Sequence, residues 1–386
     1  MTQSVSSKSI QSLAASKVTG ALPAVNGSAL TGISAGVYNN ASDPTITSNR
    51  DLGTLWANSV SGNLFICTDA TSNNNIWVNV GAGIYDYGKC FGGLGGGTIA
   101  GFAAGSVTTG ALSNGRIQTY SYTSDSDATN HGTLAQGVYM TAGSSSATHG
   151  YIASGVKRSD VANPIIERFA FATANSQAVV TNATIHTAKQ DVMGHSSKTH
   201  GYCSGGNHPT LVNNIEKYAF GSSTTVADHG DLVAARMDAG SSSSISHGYT
   251  MGGNVSNTLI DRFSFASAGN AVTHSSLLTV GLASRRAGHS SNEYGFISGG
   301  NPTTNLVETF SFTSDSTATD HTNLHTATVA HGGSSSSTHG YITGGPDGVN
   351  SNRIQKFAFV NPGATGSDVA NLVDAQNNYG HSECQF

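Results

Sequence analysis

One phrase recurs six times along this 386-residue chain. It reads "RIQTYSY" at 116–122, "IIERFAF" at 165–171, "NIEKYAF" at 214–220, "LIDRFSF" at 259–265, "LVETFSF" at 306–312 and "RIQKFAF" at 353–359. The leading aromatics are Tyr120, Phe169, Tyr218, Phe263, Phe310 and Phe357, spaced by 49, 49, 45, 47 and 47 residues. A period of this size marks a repeat architecture. Each copy ends aromatic–small–aromatic, and a period of two sends both rings to one face of a strand. A second phrase precedes several copies: "SSATHGYIASG" at 145–155, "SSKTHGYCSGG" at 196–206, "SSISHGYTMGG" at 243–253 and "SSTHGYITGG" at 336–345. Four short strands per unit of about fifty residues is the pattern of a β-propeller blade.

The order small-residue strand, turn, "Y-x-x-G-G", loop, "I-x-x-F-x-F", loop, "L-x-x-A-R" resembles a kelch repeat over roughly 82–386, without the tryptophan common after the third kelch strand. The resemblance implies a six-bladed propeller with four strands per blade. The "GSSSS" run lines the channel, "Y-I-x-G-G" comes next, "F-x-F" third, and the "L-x-x-A" segment lies outermost. The C-terminal "YGHSECQF" matches the start of "AGHSSNEYGF" at 287–296 and supplies an innermost strand, while "YGKCFGG" at 87–93 supplies a second strand. Together they complete one blade, which removes free sheet edges. On this alignment a His-Gly turn at 200–201 sets Lys198 opposite Cys203. Cys384 then faces Cys90, either as a disulfide or as two reduced thiols side by side.

The expected fold is therefore all-β. Residues 1–40 form an N-terminal arm, 41–81 a small β module, and 82–386 a six-bladed kelch-like β-propeller closed by the strand 380–386.

Fifteen histidines invite a metal or catalytic reading. His149, His200, His247 and His339 each precede Gly-Tyr, and the expectation is a structural place in the turn between the first two strands, where positive φ is tolerated. His131, His229, His274 and His321 are expected between the third and fourth strands, and His195, His289 and His381 at the start of the first. Equivalent histidines on different blades stand too far apart for zinc unless a narrow channel gathers them. No catalytic or metal residue and no cofactor is expected. The repeated acids Glu167, Glu216, Asp261 and Glu308 have basic neighbours in Arg168, Lys217 and Arg262 and read as surface ion pairs rather than a glycosidase pair. "GGLGGGTIAG" at 92–101 lacks a Walker lysine and any helix after it, and reads as a long loop of the first blade.

Only 10% of residues are charged and the net charge is −5, with no basic stripe to suggest nucleic acid. No eighteen-residue apolar run exists to insert into a membrane, and the first thirty residues lack the apolar core of a signal peptide. "SKSIQSLAASKV" permits a short helix too short to stand alone. Residues 51–81 read as small hairpins with Trp56, Phe65 and Trp77 in a modest core.

"LPAVNGSALTGI" resembles the linker phrases of bacteriophage tail fibres, and "GTLWANSVSGNLFICTDATSNNNIWV" is similar to a small β-module of such virion proteins. This resemblance implies a virion protein, assembled in the host cytoplasm and exposed on the particle. Residues 1–81 would contact other virion proteins, the chain would form a homo-oligomer (a trimer, as in fibres), and the propeller loops would meet a host surface glycan or protein. The alternatives are a capsid or tail decoration protein without receptor binding and, at lower weight, a polysaccharide-degrading enzyme.

Overall fold

The structure, a computed structural model, describes residues 37–59, 64–79, 99–105, 107–108, 115–157, 162–186, 188–207, 209–255, 258–277, 284–345, 351–377 and 382–385. The chain divides into two compact units, Met1–Tyr85 and Asp86–Phe386. Every described regular element is a strand or bridge. The short helix expected near the N-terminus falls outside the described residues.

In the smaller unit, four strands form one sheet in chain order: Val37–Asn40, Leu55–Asn58, Leu64–Asp69 and Ile76–Asn79. The first pair is parallel and the other two antiparallel. Val37–Asn40, placed in the arm by sequence, belongs to this module. Trp56 is its centre, buried against Tyr38 and Trp77 with ring centroids 4.6 and 5.6 Å away. Its indole N–H donates to Ser42 O at 2.9 Å, so the polar edge of the ring is satisfied as the apolar body is buried.

Among the described residues the larger unit holds six antiparallel sheets that repeat one plan, five of four strands and one of five, and a two-stranded ribbon of Val138–Tyr139 with Val156–Lys157. The first sheet is Ala142–Ser145, His149–Ala153, Ile165–Ala170 and Ala178–Thr184, each strand paired to the next. The second to fifth sheets begin at Met193–Ser196, Gly240–Ser243, Ala287–Ser290 and Gly332–Ser335. The sixth is discontinuous in sequence: Ser382–Gln385 pairs with Ala100–Ala104, which pairs with Arg116–Ser121 and then Thr129–Thr133. In every sheet the recurring "F-x-F" phrase is the third strand, as its alternation requires.

Why these strands stack follows from the rings. Six buried hydrophobic clusters occur among the described residues, each shared by two consecutive sheets. Tyr151, Ile166, Cys203 and Tyr218 join the first and second sheets. Ala103, Tyr120, Tyr341 and Ile354 join the fifth and sixth. Phe102, Ile117, Ile152 and Phe169 join the sixth back to the first. Burying one such side chain contributes roughly 1.5–3 kcal/mol. The glycine after the histidine in "H-G-Y" makes room for these rings, since a Cβ at Gly201 would collide with the Tyr218 ring.

The innermost strands lie side by side in sheet order, and Ser382–Gln385 lies beside both Gly332–Ser335 and Ala142–Ser145. Their last residues are linked by one repeated bond. Ser145 N–H donates to Ser196 Oγ, Ser196 to Ser243, Ser243 to Ser290 and Ser290 to Ser335, at 2.9–3.2 Å. The serines thus hold neighbouring first strands together. The strands approach so closely that a Cβ at Gly288 would collide with the Ser241 backbone, so side chains larger than hydrogen are excluded there.

Two sequence expectations are corrected by register. The partner of the C-terminal strand is Ala100–Ala104, not 87–93, so the end of "GGLGGGTIAG" is strand rather than loop. Cys384 stands opposite Phe102, while Cys90 lies outside the described residues. The reason is the same ring-and-glycine fit: Gly101 lies against Tyr120, where a Cβ would collide. In the second, third and sixth sheets the fourth strand ends before the "L-x-x-A" segment and is formed by the histidine-bearing residues, whereas in the fourth and fifth sheets the strands Thr319–Thr328 and Ser367–Asn377 run through that segment, as expected.

Candidate functional site

A cavity of about 150 Å³ lies where the first strands converge, lined by Ser144, Ser242, Ser334, His195, His289 and Arg286 among others. The imidazoles of His195 and His289 stand in its lining.

His195 and His289 occupy the third position of their strands and are about 1% exposed. Nδ1 of His195 faces Ser242 O at 3.2 Å, and a carbonyl can only accept, so Nδ1 carries the proton. Nε2 then accepts from Ser204 Oγ at 2.8 Å. His289 repeats this with Ser334 O at 3.0 Å and Ser298 Oγ at 2.8 Å. Burial drives the His195 pKa down to about 4, so the ring stays neutral. A serine hydroxyl on an imidazole oriented through its other nitrogen is the local geometry of a nucleophile and its base. Here, however, Ser204 and Ser298 have no exposed surface. The bonds tie the first strand to the second.

The aromatic that packs on this position from the next sheet follows its chemistry. Tyr218 Oη bonds Ser144 Oγ at 2.7 Å and Tyr120 Oη bonds Ser334 Oγ at 2.6 Å. Phe263 instead meets His195 edge-on at 5.0 Å, and Phe357 meets His289 at 5.1 Å. A serine is matched by a hydroxyl and an imidazole by a bare ring in these four cases; Ser242, packed by Phe310, departs from the pattern.

His149, His200, His247 and His339 are not turn residues. Ser197 N–H bonds His200 O and Ser196 pairs with Gly201, so the two central turn residues are Lys198 and Thr199 and the histidine opens the second strand. Gly194, not Lys198, stands opposite Cys203. None of the four histidines has positive φ. Each is half-buried, with Nδ1 bonded to the preceding hydroxyl of Thr148, Thr199, Ser246 or Thr338 at 2.7–2.8 Å. Burial lowers the pKa of all four.

His131, His229, His274 and His321 lie within fourth strands rather than before them. Each donates Nε2–H to a carbonyl at the end of the next sheet's third strand: Ala170, Ser264, Ser311 and Ala358, at 2.7–2.9 Å. They brace neighbouring sheets. His381 lies outside the described residues.

The repeated acids depart most from expectation. Glu167, Glu216, Asp261 and Glu308 are at most 1% exposed. Their neighbours in sequence point to the opposite face of the strand, so they do not pair with Arg168, Lys217 or Arg262. Glu167 accepts backbone N–H groups of Ala135 and Gln136 at 2.6 and 2.9 Å, Glu216 that of His186 at 2.6 Å, and Asp261 that of Val233 at 3.0 Å. Three carry a buried cation as well: Lys189 on Glu216 at 3.0 Å, Arg236 on Asp261 at 2.9 Å and Arg286 on Glu308 at 2.6 Å. The signal available in sequence was a basic residue shortly before each of three first strands, in "AKQ", "AARM" and "SRRAG".

Ahead of five first strands stand non-glycine residues in the left-handed region: Met140, Asp191, Asp238, Arg285 and Ala330, with φ of 51–59°. Asp191 N–H bonds Met140 O, Arg285 bonds Asp238 O and Ala330 bonds Arg285 O, at 2.8–3.0 Å. Burial and the adjacent Asp238 carboxyl push the Asp191 acid up to about 8. Among the described residues no group of three His, Cys, Asp or Glu side chains is placed to hold a metal ion. Comparison with known proteins finds no matching family model and no significantly similar curated protein.

Proposed function

We propose that the six sheets form a closed, six-bladed, kelch-like propeller that serves as the presenting head of a bacteriophage virion protein. In this reading residues 1–81 attach the chain to other virion proteins, as a homo-oligomer of three, and the propeller loops meet a host surface molecule. The closed ring is supported by the hydrophobic cluster shared by the sixth and first sheets and by the place of Ser382–Gln385 beside Ala142–Ser145. The virion reading draws on the resemblance of "LPAVNGSALTGI" and of residues 53–78 to tail-fibre segments.

The observation that carries a presenting rather than catalytic role is how the reactive side chains are used. Inward histidines, fourth-strand histidines and third-strand acids are engaged in bonds between strands or sheets. Such bonds make a rigid frame, and variation is left to the loops, where recognition commonly resides. The test is to image particles carrying a label on the C-terminal unit and to measure adsorption with added recombinant 86–386. Outward label and competed adsorption support the reading. Outward label without competition indicates decoration, and release of reducing ends from host polysaccharide would replace it with an enzyme.

A further inference from the structure

The repeat provides its own control for surface charge. In each sheet the third strand places one residue opposite the aromatic of "H-G-Y" or its equivalent: Tyr151 opposite Arg168, Tyr202 opposite Lys217, Tyr249 opposite Arg262, Phe296 opposite Thr309, Tyr341 opposite Lys356 and Phe102 opposite Thr119. At two junctions this residue reaches the loop that follows the third strand of the next sheet. Lys356 Nζ bonds Asp125 of that loop at 2.6 Å, and Arg262 Nη1 lies 3.5 Å from Asp315. Both aspartates stand third after the second aromatic of "F-x-F".

The same position in the other four loops is Ala174, Ser223, Ala268 and Pro362. By repeat position, Thr119 corresponds to Ala174 and Thr309 to Pro362, neutral with neutral. Two junctions break the rule. Arg168 is matched with Ser223 and Lys217 with Ala268, and neither cation has an ion-pair partner among the described residues. Arg168 stands across from Tyr151, whose hydroxyl carries no compensating charge. Asp228 on the neighbouring strand stands in register with Glu216, not Lys217.

These two junctions are consecutive, on the first and second sheets. They share one edge of the unit, because the loop after the third strand lies beside the first turn: Phe171 N–H bonds Thr148 O and Phe220 N–H bonds Thr199 O, both at 2.9 Å. That edge also carries exposed Lys198 and the half-buried His149 and His200. The turns and loops concerned, 146–149, 172–177, 197–200, 221–225 and 266–270, contain no Asp or Glu. The acids of this edge lie elsewhere, at Asp125, Asp127, Glu293 and Asp315.

We propose that Arg168 and Lys217, with Lys198, form a binding site for an acidic polysaccharide, whose carboxylate or phosphate groups supply the anions that Asp125 and Asp315 supply internally at the paired junctions. This rests on the reading of the propeller as a host-recognising head and names its ligand class. Guanidinium and ammonium donors suit both groups through charge-assisted bonds. Two cations on adjacent sheets favour a polymer that repeats its charge over a single small anion.

The full chain is titrated by calorimetry with three probes: polygalacturonate fragments for carboxylate, poly(glycerol phosphate) for phosphate, and dextran as the neutral polymer. Binding to one or both acidic probes, weakened by salt and absent for dextran, is expected, and the stronger of the two identifies the anion. The variant R168T/K217T copies Thr119 and Thr309 and should fold; it should bind at least about tenfold more weakly. The variant S223D/A268D, which installs the internal partner, should do the same with no loss of Tm. The control R262T/K356T should bind as the parent does. Binding to no acidic probe, equal binding by dextran, undiminished binding by R168T/K217T, or an equal loss in the control would each overturn the site. Particle imaging and adsorption competition test the head itself, so a wrong ligand and a wrong role give different results.

Discussion

The second sheet and the sixth solve one problem in two ways. Glu216 in one and Gln118 in the other occupy the same place in the third strand. Both accept backbone N–H groups from the neighbouring sheet's fourth strand or the residues just after it: His186 at 2.6 Å for Glu216, and Val373 at 2.6 Å and Asp374 at 3.4 Å for Gln118. Gln355 in the fifth sheet does the same with Thr326 at 2.7 Å. The carboxylate brings a charge into the interior and is accompanied by Lys189; the amide brings none. The task common to all is satisfying buried backbone donors, which would otherwise be costly. The cation at Glu216, Asp261 and Glu308 offsets a charge that this task does not require. A buried pair of this kind costs desolvation comparable to its attraction, and the damage comes from removing one partner alone.

The largest expected effect breaks the comparison on one side. Lys189→Met or Arg286→Met strands a buried carboxylate and should lower unfolding free energy by about 3–5 kcal/mol, read from chemical denaturation. The double variant Lys189→Met/Glu216→Gln converts the second sheet to the amide solution. It should recover most of that loss, and a double variant no better than the single would show that the ion pair itself is required.

Acid should act next. His195 is buried neutral with a pKa of about 4, below the ordinary value of 6.5. Its contribution is complete above about pH 6.5, where the unfolded chain is also neutral. It is lost as pH falls from 6.5 towards 4, because the unfolded state takes up the proton first. The loss from this one group approaches ~3 kcal/mol. His195→Ser should flatten that part of the stability–pH curve.

A smaller effect tests the matching of ring to partner. His195→Ser alone leaves a hydroxyl against Phe263, and adding Phe263→Tyr recreates the Ser144–Tyr218 pair. A double-mutant cycle should give a favourable coupling of about 1 kcal/mol; zero coupling would mean that the pairing is incidental. A further effect is at Asp191, whose acid is pushed well above the ordinary carboxyl range by burial and the neighbouring Asp238. Folding disfavours its ionised form, so a cost appears as pH rises above that range. Asp191→Asn should raise Tm at pH 7 and leave it unchanged at pH 3.

Much of the fold was legible because a period of 45–49 residues admits few solutions. The third strands, the small residues of the first strands and the discontinuous sixth sheet all follow from the repeat. The partner of the C-terminal strand was misplaced because "YGKCFGG" and "AGFAAG" both carry an aromatic between small residues. The choice between them depends on how Gly101 fits against Tyr120. The "H-G" of "T-H-G-Y" also suits a turn, whereas the register puts the turn two residues earlier, at Lys198 and Thr199 in the second sheet. Glu216 and its equivalents were read as exposed because their basic neighbours in sequence are the visible partners; in a strand those neighbours face the other way.

By itself, then, the sequence determined the repeat, the all-β character and which positions carry rings, glycines, imidazoles and charges, since these are properties of local pattern and period. Only the tertiary structure decided what each polar side chain faces. Its partner lies on an adjacent strand or sheet, often some forty residues away, and burial there turns a surface charge into a structural acceptor. The same juxtaposition showed that four of six junctions balance their charge internally while those at Arg168 and Lys217 do not.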